Sequence, residues 1–206
     1  YWSGSAADTD GSFSISRKDK LLGKLNWNQL GEHNRMNALA AIAAANHAGV
    51  SPQTSITALE KFQGVKRRME IKGVVNGITI YDDFAHHPTA IATTIAGLRH
   101  RVGNARILAV LEPRSNTMKQ GVWKDDLAAS LRDAEAVFCY TANLGWDAAG
   151  ALRSLGDKVK TSDDIDALIK MIKQAVKTGD QVLIMSNGGF AGIHGKLLAK
   201  LKTTTS

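Results

Sequence analysis

Hydrophobic and polar positions alternate over the first thirty residues. The segments "SFSIS" at 12–16 and "LLGKLNW" at 21–27 have the two-residue period of half-buried strands. Asp10-Gly11, just before them, is a dipeptide typical of tight hairpin turns. This part of the chain therefore predicts strands joined by a hairpin.

The hydrophobic period changes after residue 33. Residues 34–48 are dense in alanine, the strongest helix former, and end before Gly49. A second helix is predicted over residues 52–62, because Ser51 suits the N-cap and Pro52 suits the first helical position. Two short helices thus follow the strands.

Beyond residue 64, short apolar runs alternate with amphipathic ones. Asn76-Gly77 first predicts a type I′ hairpin between two strands. Four strand-like runs follow, each before a helix-like run: strands at 106–113, 135–140, 157–161 and 180–189, and helices at 120–132, 146–155, 162–179 and 192–201. This alternation is typical of βαβ units around a parallel sheet that helices cover on both faces.

These patterns divide the chain into two parts. Residues 64–206 are predicted to form a doubly wound, mostly parallel, Rossmann-like α/β domain with an N-terminal hairpin. Residues 1–63, with strands and two helices, are interpreted as the tail of another domain. The chain starts inside strand-like sequence without a methionine, so we expect it to be a piece of a longer protein.

Composition narrows the classes of partner. The net charge of +7 favours anionic partners, but the basic residues are scattered, which indicates a solvated surface and no nucleic-acid site. Cys139 is the single cysteine, and its apolar surroundings in "AVFCY" predict a buried thiol. No apolar run reaches the roughly 18 residues of a membrane span, so we expect a cytoplasmic protein with no membrane partner.

The ends of the predicted strands are polar or glycine-rich. Ligands of open parallel sheets bind beyond the carboxyl ends of the strands. A binding site is therefore predicted where four segments converge: "YDDFAHHPT" at 81–89, "LEPRSNT" at 111–117, "CYTANLGWD" at 139–147 and "MSNGGFAG" at 185–192.

The segment "YDDFAHHPT" has three interpretations. A zinc site needs three or four converging ligands, and the adjacent His86 and His87 side chains diverge in regular backbone. Pro88 predicts a helix N-terminus, which suits a phosphate or carboxylate, while the aspartates at the strand end suit ribose hydroxyls. A solvated turn is the third interpretation. We favour ligand contact without a metal.

The remaining polar segments carry weaker signals. Two glycines in "SNGGF" permit close approach of the backbone to a ligand, and Arg114 suits a carboxylate, although surface arginines are common. In "GEHNRMN", Asn34 alone could be a helix N-cap. No G-x-x-x-x-G-K-[ST] loop occurs in the chain, so a phosphate loop for ATP would lie outside it.

Taken in order, three segments resemble the Mur ligase family. They are "GEHNRMNALAA" at 31–41, "GVKRR" at 64–68 and "YDDFAHHPT" at 81–89. The family carries G-x-H-N-x-x-N-A-x-A-A at the end of a central ATPase domain, then a linker ending in arginine, then a Rossmann-like C-terminal domain. "DDFAHHPT" is close to the branches that act on UDP-N-acetylmuramate, whereas "EPRSNTM" departs from the P-H-R-x-x-R-T of the L-alanine-adding branch.

The resemblance implies an ATP- and Mg²⁺-dependent ligase that forms an amide through an acyl phosphate. The departure at "EPRSNTM" points to the peptidoglycan-recycling branch, which joins UDP-N-acetylmuramate to L-alanyl-γ-D-glutamyl-meso-diaminopimelate. The alternatives are the L-alanine-adding branch and a non-catalytic nucleotide- or anion-binding module. In this family the phosphate loop and Mg²⁺ ligands lie in the central domain, so this chain would be a lid that closes on ATP, carries the incoming peptide and is inactive alone.

The matched motifs also imply residue roles. Asn37 corresponds to the family's adenine contact, Arg68 to a phosphate contact and Asp83 to a ribose contact, with His33 and Asn34 in the same ATP-binding motif. The resemblance implies neither a metal ligand nor a catalytic residue within the chain. It places six residues near the incoming peptide: His86, His87, Arg114, Asn116, Ser186 and Asn187.

Overall fold

The computed structural model describes residues 1–6, 8, 12–27, 32–62 and 64–203, and of His33 it describes the backbone alone. The chain separates into two compact units, Tyr1–Gly64 and Val65–Ser206. Among the described residues, no helix is both long and apolar enough to cross a bilayer.

The first unit contains a three-stranded antiparallel sheet in the order β1-β2-β3 and two helices. The turn between β2 and β3 is formed by Lys18 and Asp19, whose φ angles of 47° and 61° are those of a two-residue hairpin. The predicted hairpin at Asp10-Gly11 lies outside the described residues. The elements are β1 (Trp2–Gly4), β2 (Phe13–Arg17), β3 (Lys20–Leu25), α1 (Glu32–His47) and α2 (Pro52–Glu60).

The helix ends of the first unit follow capping chemistry. The Ser51 hydroxyl accepts a hydrogen bond from the Thr54 N–H at 3.1 Å, which confirms the predicted N-cap of α2. That helix ends at Glu60, two residues before the predicted end at 62. The interpretation of Asn34 as an N-cap is wrong, because α1 begins at Glu32 and Asn34 lies within its first turn.

The second unit is built on a six-stranded sheet in the order β4-β5-β9-β6-β7-β8. Only β4 is antiparallel to its neighbour, and the other pairs are parallel, which confirms the predicted doubly wound fold. The strands are β4 (Glu70–Val75), β5 (Ile78–Asp83), β6 (Ile107–Leu111), β7 (Ala136–Tyr140), β8 (Val159–Ser162) and β9 (Gln181–Met185). The helices are α3 (Pro88–Val102), α4 (Asn116–Lys119), α5 (Lys124–Ser130), α6 (Ala148–Ala151), α7 (Ile165–Ala175) and α8 (Ile193–Lys202).

The predicted hairpin before the parallel strands is confirmed. Val75 pairs with Ile78 across Asn76 and Gly77, whose φ angles are 52° and 74°. Positive φ at both central residues is the type I′ geometry that matches the right-handed twist of the flanking strands.

Two buried clusters show how helices cover both faces of the sheet. On one face α3 and α5 pack against the strands, and this side also buries Cys139 and raises the pKa of its thiol to about 12. The predicted buried thiol is therefore confirmed. The opposite face is covered by α7 and α8, whose apolar residues are Leu168, Ile169, Ile172, Ile193, Leu197 and Leu201.

Two predicted helices are shorter in the structure. The helix predicted over 120–132 is present as α5, Lys124–Ser130, because Gly121 with φ of 72° lies at its predicted start and separates α5 from the short helix α4. The Trp146 ring lies against Gly121 and donates a hydrogen bond from Nε1 to the Met118 carbonyl at 2.7 Å. The predicted helix 146–155 is likewise reduced to α6 and a 3₁₀ segment, Arg153–Lys158.

Candidate functional site

Loops after three neighbouring strands share the carboxyl edge of the sheet in the second unit. The chain passes from β5 to β6 and returns last as β9, which lies between them. The helices after β5 and β6 pack on one face, and the helix after β9 packs on the other. Open parallel sheets bind ligands at such a reversal. The predicted residues at 83–87, 114–116 and 186–187 lie at the ends of these three strands or just after them.

Asp83 ends β5 and is 2% exposed. Its Oδ2 accepts a hydrogen bond from the Met69 N–H at 2.9 Å. Its Oδ1 accepts from the Ala85 N–H at 2.8 Å and from the Thr94 hydroxyl at 3.3 Å. Both carboxylate oxygens are therefore engaged within the protein, and they hold the segment before β4 against the loop after β5.

Arg67 fastens that same segment to the loop after β9. Its Nη2 donates to the carbonyl oxygens of Ser186 and Gly188, the second at 2.8 Å. Its Nε lies 3.5 Å from the Asp82 carboxylate. The Arg67 carbonyl in turn accepts a hydrogen bond from the Phe84 N–H at 2.8 Å. Arg67 is thus committed to contacts inside the second unit.

Arg68 differs from its neighbour because it is exposed. Its guanidinium lies 5.8 Å from the centre of the Phe84 ring, and the Arg67 guanidinium lies 5.2 Å from the same ring. Both distances are within the range of a cation–π interaction. The Phe84 ring therefore supports an exposed cation at the carboxyl edge, where an anionic ligand could reach it.

Asp82 and His194 form a largely buried polar pair on the face of β5 opposite to the Asp83 side chain. His194 Nε2 lies 3.2 Å from Asp82 Oδ1, but neither atom has a hydrogen bond to a described residue, so the contact is electrostatic. Burial lowers the pKa of His194 below its ordinary value, the nearby Lys72 and Arg67 cations act in the same direction, and Asp82 opposes them.

Glu112 follows β6 and carries a carboxylate that is 13% exposed. Its Oε2 accepts a hydrogen bond from the Ser186 hydroxyl at 2.5 Å, and that hydroxyl accepts one from the Gly188 N–H at 2.9 Å. The loop after β9 thereby orients a carboxylate of the loop after β6. Sequence reasoning missed Glu112, although it ends a continuous apolar strand and thus occupies a position typical of ligand contacts.

A cavity of about 200 Å³ opens beside this carboxylate at the ends of β6 and β7. Two cationic side chains, Arg114 and Lys119, lie on its wall together with Glu112. The Arg114 side chain is 52% exposed, and its Nη1 is 4.0 Å from Glu112 Oε1, beyond hydrogen-bond distance. The complete lining is Glu112, Pro113, Arg114, Lys119, Tyr140, Ala142 and Asn143.

His86 and His87 contact different neighbours. His86 Nδ1 is 2.8 Å from the Phe84 carbonyl oxygen, and the His86 ring meets the Phe84 ring edge-on. His87 is the N-cap residue of α3, makes no side-chain capping bond, and meets the Trp123 ring edge-on at 4.2 Å. His87 and Trp123 also line a recess of about 420 Å³ between α3 and α5.

Asn116 and Asn187 lie in the loops after β6 and β9. Asn116 is the exposed first residue of α4, next to the N-cap Ser115, whose hydroxyl accepts from the Met118 N–H at 3.3 Å. Asn187 Oδ1 is buried and has no hydrogen-bond partner among the described residues. A buried acceptor without a partner is costly, and a ligand donor could satisfy it only if the side chain turned towards the surface.

The remaining predicted residues belong to the first unit. Asn37 is exposed on α1 and Asn34 is partly buried in its first turn, whereas the His33 side chain lies outside the described residues. Arg35 between them donates to the Gly4 carbonyl at 2.7 Å and so ties α1 to β1. The structure thus brings the six residues that were predicted near the peptide to one edge of the second unit. His33, Asn34 and Asn37 lie in the first unit, and their position is described within that unit only.

Within the described ranges, no group of three or more His, Cys, Asp or Glu side chains is arranged to hold a metal ion. We therefore assign no metal site to these residues.

Known proteins with similar sequences identify the family. Residues 67–188, more than half of the chain, match the family described as "Mur ligase, glutamate ligase domain". The chain is 48% identical over 201 residues to the Escherichia coli (strain K12) protein named UDP-N-acetylmuramate–L-alanyl-γ-D-glutamyl-meso-2,6-diaminoheptandioate ligase, a match that covers 96% of this chain and 44% of that protein. It is 30% identical over 200 residues to a UDP-N-acetylmuramate–L-alanine ligase of Anaeromyxobacter dehalogenans (strain 2CP-C), covering 92% of this chain and 43% of that one.

A solved structure agrees with these relatives. The crystal structure of a murein peptide ligase from Psychrobacter arcticus is 41% identical and matches with a TM-score of 0.75, covering 100% of this chain and 45% of that one. The chain therefore spans less than half the length of these three relatives. Both the family match and the order of the motifs along the chain lead to the same conclusion: this chain belongs to the Mur ligase family.

Proposed function

We propose that the full-length protein is an ATP-dependent ligase that joins UDP-N-acetylmuramate to L-alanyl-γ-D-glutamyl-meso-diaminopimelate. The observation that carries the proposal is the 48% identity, over nearly the whole chain, to a relative named for that reaction. The relative named for L-alanine addition is only 30% identical over a similar length.

The proposed reaction has two steps. The muramate carboxylate takes the terminal phosphate of ATP, which releases ADP and leaves an acyl phosphate. The N-terminal amine of the peptide then attacks the acyl carbon, phosphate leaves, the amine loses a proton, and an amide forms. Magnesium, when bound, would neutralise phosphate charge, and we expect its ligands outside the described residues.

On the nucleotide side, we assign the phosphate contact to Arg68. Its exposure and its support by Phe84 leave the guanidinium available to an anion. Asp83 has both oxygens engaged within the protein, so we propose that it positions the segment carrying Arg68 and reaches ribose only if one of those bonds opens. The adenine contact by Asn37, with His33 and Asn34 beside it, stays a prediction.

On the peptide side, we assign the site to the carboxyl edge of β6, β7 and β9. The tripeptide carries three carboxylates and two amines, and the cavity there offers two cations and one carboxylate. Arg114 suits a carboxylate, and the side-chain amide of Asn187 suits a peptide N–H if it turns towards the surface. His86, His87, Asn116 and Ser186 surround this edge and remain proposed peptide contacts or supports.

We further propose that the second unit acts as a lid over the reacting groups. An acyl phosphate hydrolyses in water, so closing a domain over it protects the intermediate and assembles the site. The hydrogen bonds from Arg67 to the loop after β9 make the segment before β4 part of that moving body. Since UDP-sugars and ATP are cytoplasmic metabolites, we expect the reaction in the cytoplasm.

Amide formation by the full-length protein tests the proposal. Purified enzyme with ATP, Mg²⁺ and UDP-N-acetylmuramate is offered the tripeptide or free L-alanine, and kcat/KM is measured for each. We expect at least a hundredfold preference for the tripeptide. Efficient use of L-alanine would instead assign the alternative ligase, and ATP binding without amide formation from either amine would assign a nucleotide-binding module.

A further inference from the structure

The cavity at the ends of β6 and β7 has a charge pattern that its predicted role as a carboxylate site does not explain. Two cations, Arg114 and Lys119, share its wall with the carboxylate of Glu112. We propose that this cavity binds a zwitterionic α-amino-carboxylate group, namely the distal end of the diaminopimelyl residue. The inference rests on the proposed function, and it makes the cavity the part of the site that selects the third residue of the peptide.

The cavity is too small for the whole peptide. Its volume is about 200 Å³, below the roughly 300–1,000 Å³ of pockets that enclose most of a drug-sized ligand. That space suits one amino-acid head group with a few methylenes. A tripeptide must therefore leave most of its length outside, and only one of its ends enters.

Charge decides which end of the peptide enters. The reacting N-terminal amine is borne by a carbon whose carboxyl group is already an amide. The distal carbon of diaminopimelate is the only position in the tripeptide that bears both an ammonium and a carboxylate. A wall with Glu112 on one part and two cations on another complements that pair of charges.

Glu112 is oriented in advance to receive the ammonium. Its Oε2 is held by the Ser186 hydroxyl, which is itself fixed by the Gly188 N–H. Its Oε1 has no hydrogen bond to any described residue, since the nearest cation, Arg114 Nη1, is 4.0 Å away. One oxygen thus fixes the carboxylate while the other faces a possible ligand.

The two cations are available for the carboxylate of the same group. The Arg114 side chain is 52% exposed, and Lys119 is an exposed residue that forms no ion pair with any described residue. Neither cation forms a hydrogen bond to Glu112, and the Arg114–Glu112 ion pair is a loose one at 4.0 Å, so the cavity can bind an added carboxylate without breaking a hydrogen bond between these groups.

Two tripeptides and two variants of the full-length enzyme test the inference. L-Alanyl-γ-D-glutamyl-L-lysine keeps the distal ammonium of the natural peptide and lacks the distal carboxylate. Lys119→Met should lower kcat/KM about tenfold for the diaminopimelyl peptide and less than twofold for the lysyl peptide. Glu112→Gln keeps the acceptor for Ser186 and removes the charge, so it should lower kcat/KM about tenfold for both peptides.

The matched control is Lys124→Met, which removes an exposed lysine near Lys119 that does not line the cavity. It should change neither peptide's kcat/KM by more than twofold. Equal losses with both peptides in Lys119→Met would overturn the inference, and so would unchanged kinetics in Glu112→Gln.

A titration that needs no turnover separates this inference from the proposed function. Calorimetry on the full-length protein compares free meso-diaminopimelate with cadaverine, which keeps both amines and lacks both carboxylates. If neither peptide is ligated but meso-diaminopimelate binds at least tenfold tighter than cadaverine, and Lys119→Met removes the difference, the cavity assignment stands and the proposed function fails. If neither peptide is ligated and the two probes bind alike, both are overturned.

Discussion

At the residue scale, two adjacent arginines have opposite environments. Arg67 donates to two carbonyls of the loop after β9 and lies 3.5 Å from Asp82, whose side chain is 7% exposed. Arg68 is exposed on the Phe84 ring. The first is thus placed to hold the fold of the carboxyl edge, and the second is placed to contact a ligand.

Stability measurements should separate these two roles. Arg67→Ala leaves the buried Asp82 carboxylate without its cation, and breaking such a pair costs about 3 kcal/mol of the free energy of unfolding. Arg68→Ala, the matched control, should cost less than about 0.5 kcal/mol because it truncates an exposed side chain. Urea unfolding followed by tryptophan fluorescence measures both. Equal costs would show that Arg67 is not the anchor described above.

His194 predicts a pH dependence of stability. Burial holds the pKa of His194 below its ordinary value of 6.5, so the unfolded chain takes up the proton first as the pH falls. Stability from this group is therefore complete above pH 6.5 and is lost as the pH falls from there towards the folded-state pKa. The urea midpoint should decrease between pH 7.5 and pH 5.5, and His194→Gln should reduce that decrease. An unchanged decrease in the variant would assign the effect to other groups.

The positions of candidate site residues were predictable only where the signal is local. Asp83, Arg114 and Ser186 could be selected because they stand at strand ends. The anchor role of Arg67 could not be predicted, because its carbonyl partner at Ser186 lies 119 residues away in the chain. The same holds for Glu112, which is oriented by a hydroxyl 74 residues further along. Such partners meet only after the sheet has brought its strands together.

At the scale of elements, turns and buried strands were predictable and short helices were not. The Asn76-Gly77 hairpin and the apolar parallel strands follow from backbone preference and burial. The break between α4 and α5 depends on Gly121 at positive φ beneath the Trp146 ring, a contact between distant segments. Periodicity alone does not show where such a glycine stops a helix, which is why the predicted helix began at residue 120 and α4 was not predicted.

A glycine pair tests this break. An alanine at position 121 would have to adopt φ of 72°, and its Cβ would meet the Trp146 ring at 3.2 Å. Gly121→Ala should therefore lower the free energy of unfolding by about 1–2 kcal/mol. Gly97 is in the middle of α3, where an added methyl group would meet no atom within 4 Å, so Gly97→Ala should stabilise by roughly 0.5–1 kcal/mol. Thermal unfolding of the two variants should therefore move in opposite directions. Shifts of the same sign would argue against the helix break.

At the scale of the whole molecule, the chain consists of two compact units and spans less than half of a longer relative. Its fold class and family could be predicted from ordered motifs, because those motifs follow the strand ends that the fold requires. The arrangement of the site around ATP could not, since it depends on parts of the relatives that this chain does not match.

The 206-residue chain alone should therefore be inactive. It has no Walker-type phosphate loop to position ATP for phosphoryl transfer. We expect neither ligation nor ATP hydrolysis, and a Kd for ATP of about 1 mM or weaker, which corresponds to about −4 kcal/mol. Calorimetry provides the measurement. Micromolar binding of ATP by the chain would contradict the lid assignment and favour a stand-alone nucleotide-binding module.

We propose that one edge of the second unit contacts ATP through Arg68 and the peptide through Arg114. Kinetics of full-length Arg68→Ala and Arg114→Ala enzymes, with the KM for ATP and the KM for the tripeptide measured separately, test this directly. Arg68→Ala should lower kcat/KM for ATP about tenfold with little change in the peptide KM, and Arg114→Ala should raise the peptide KM about tenfold with little change in the ATP KM. Equal effects of both variants on both substrates would contradict it.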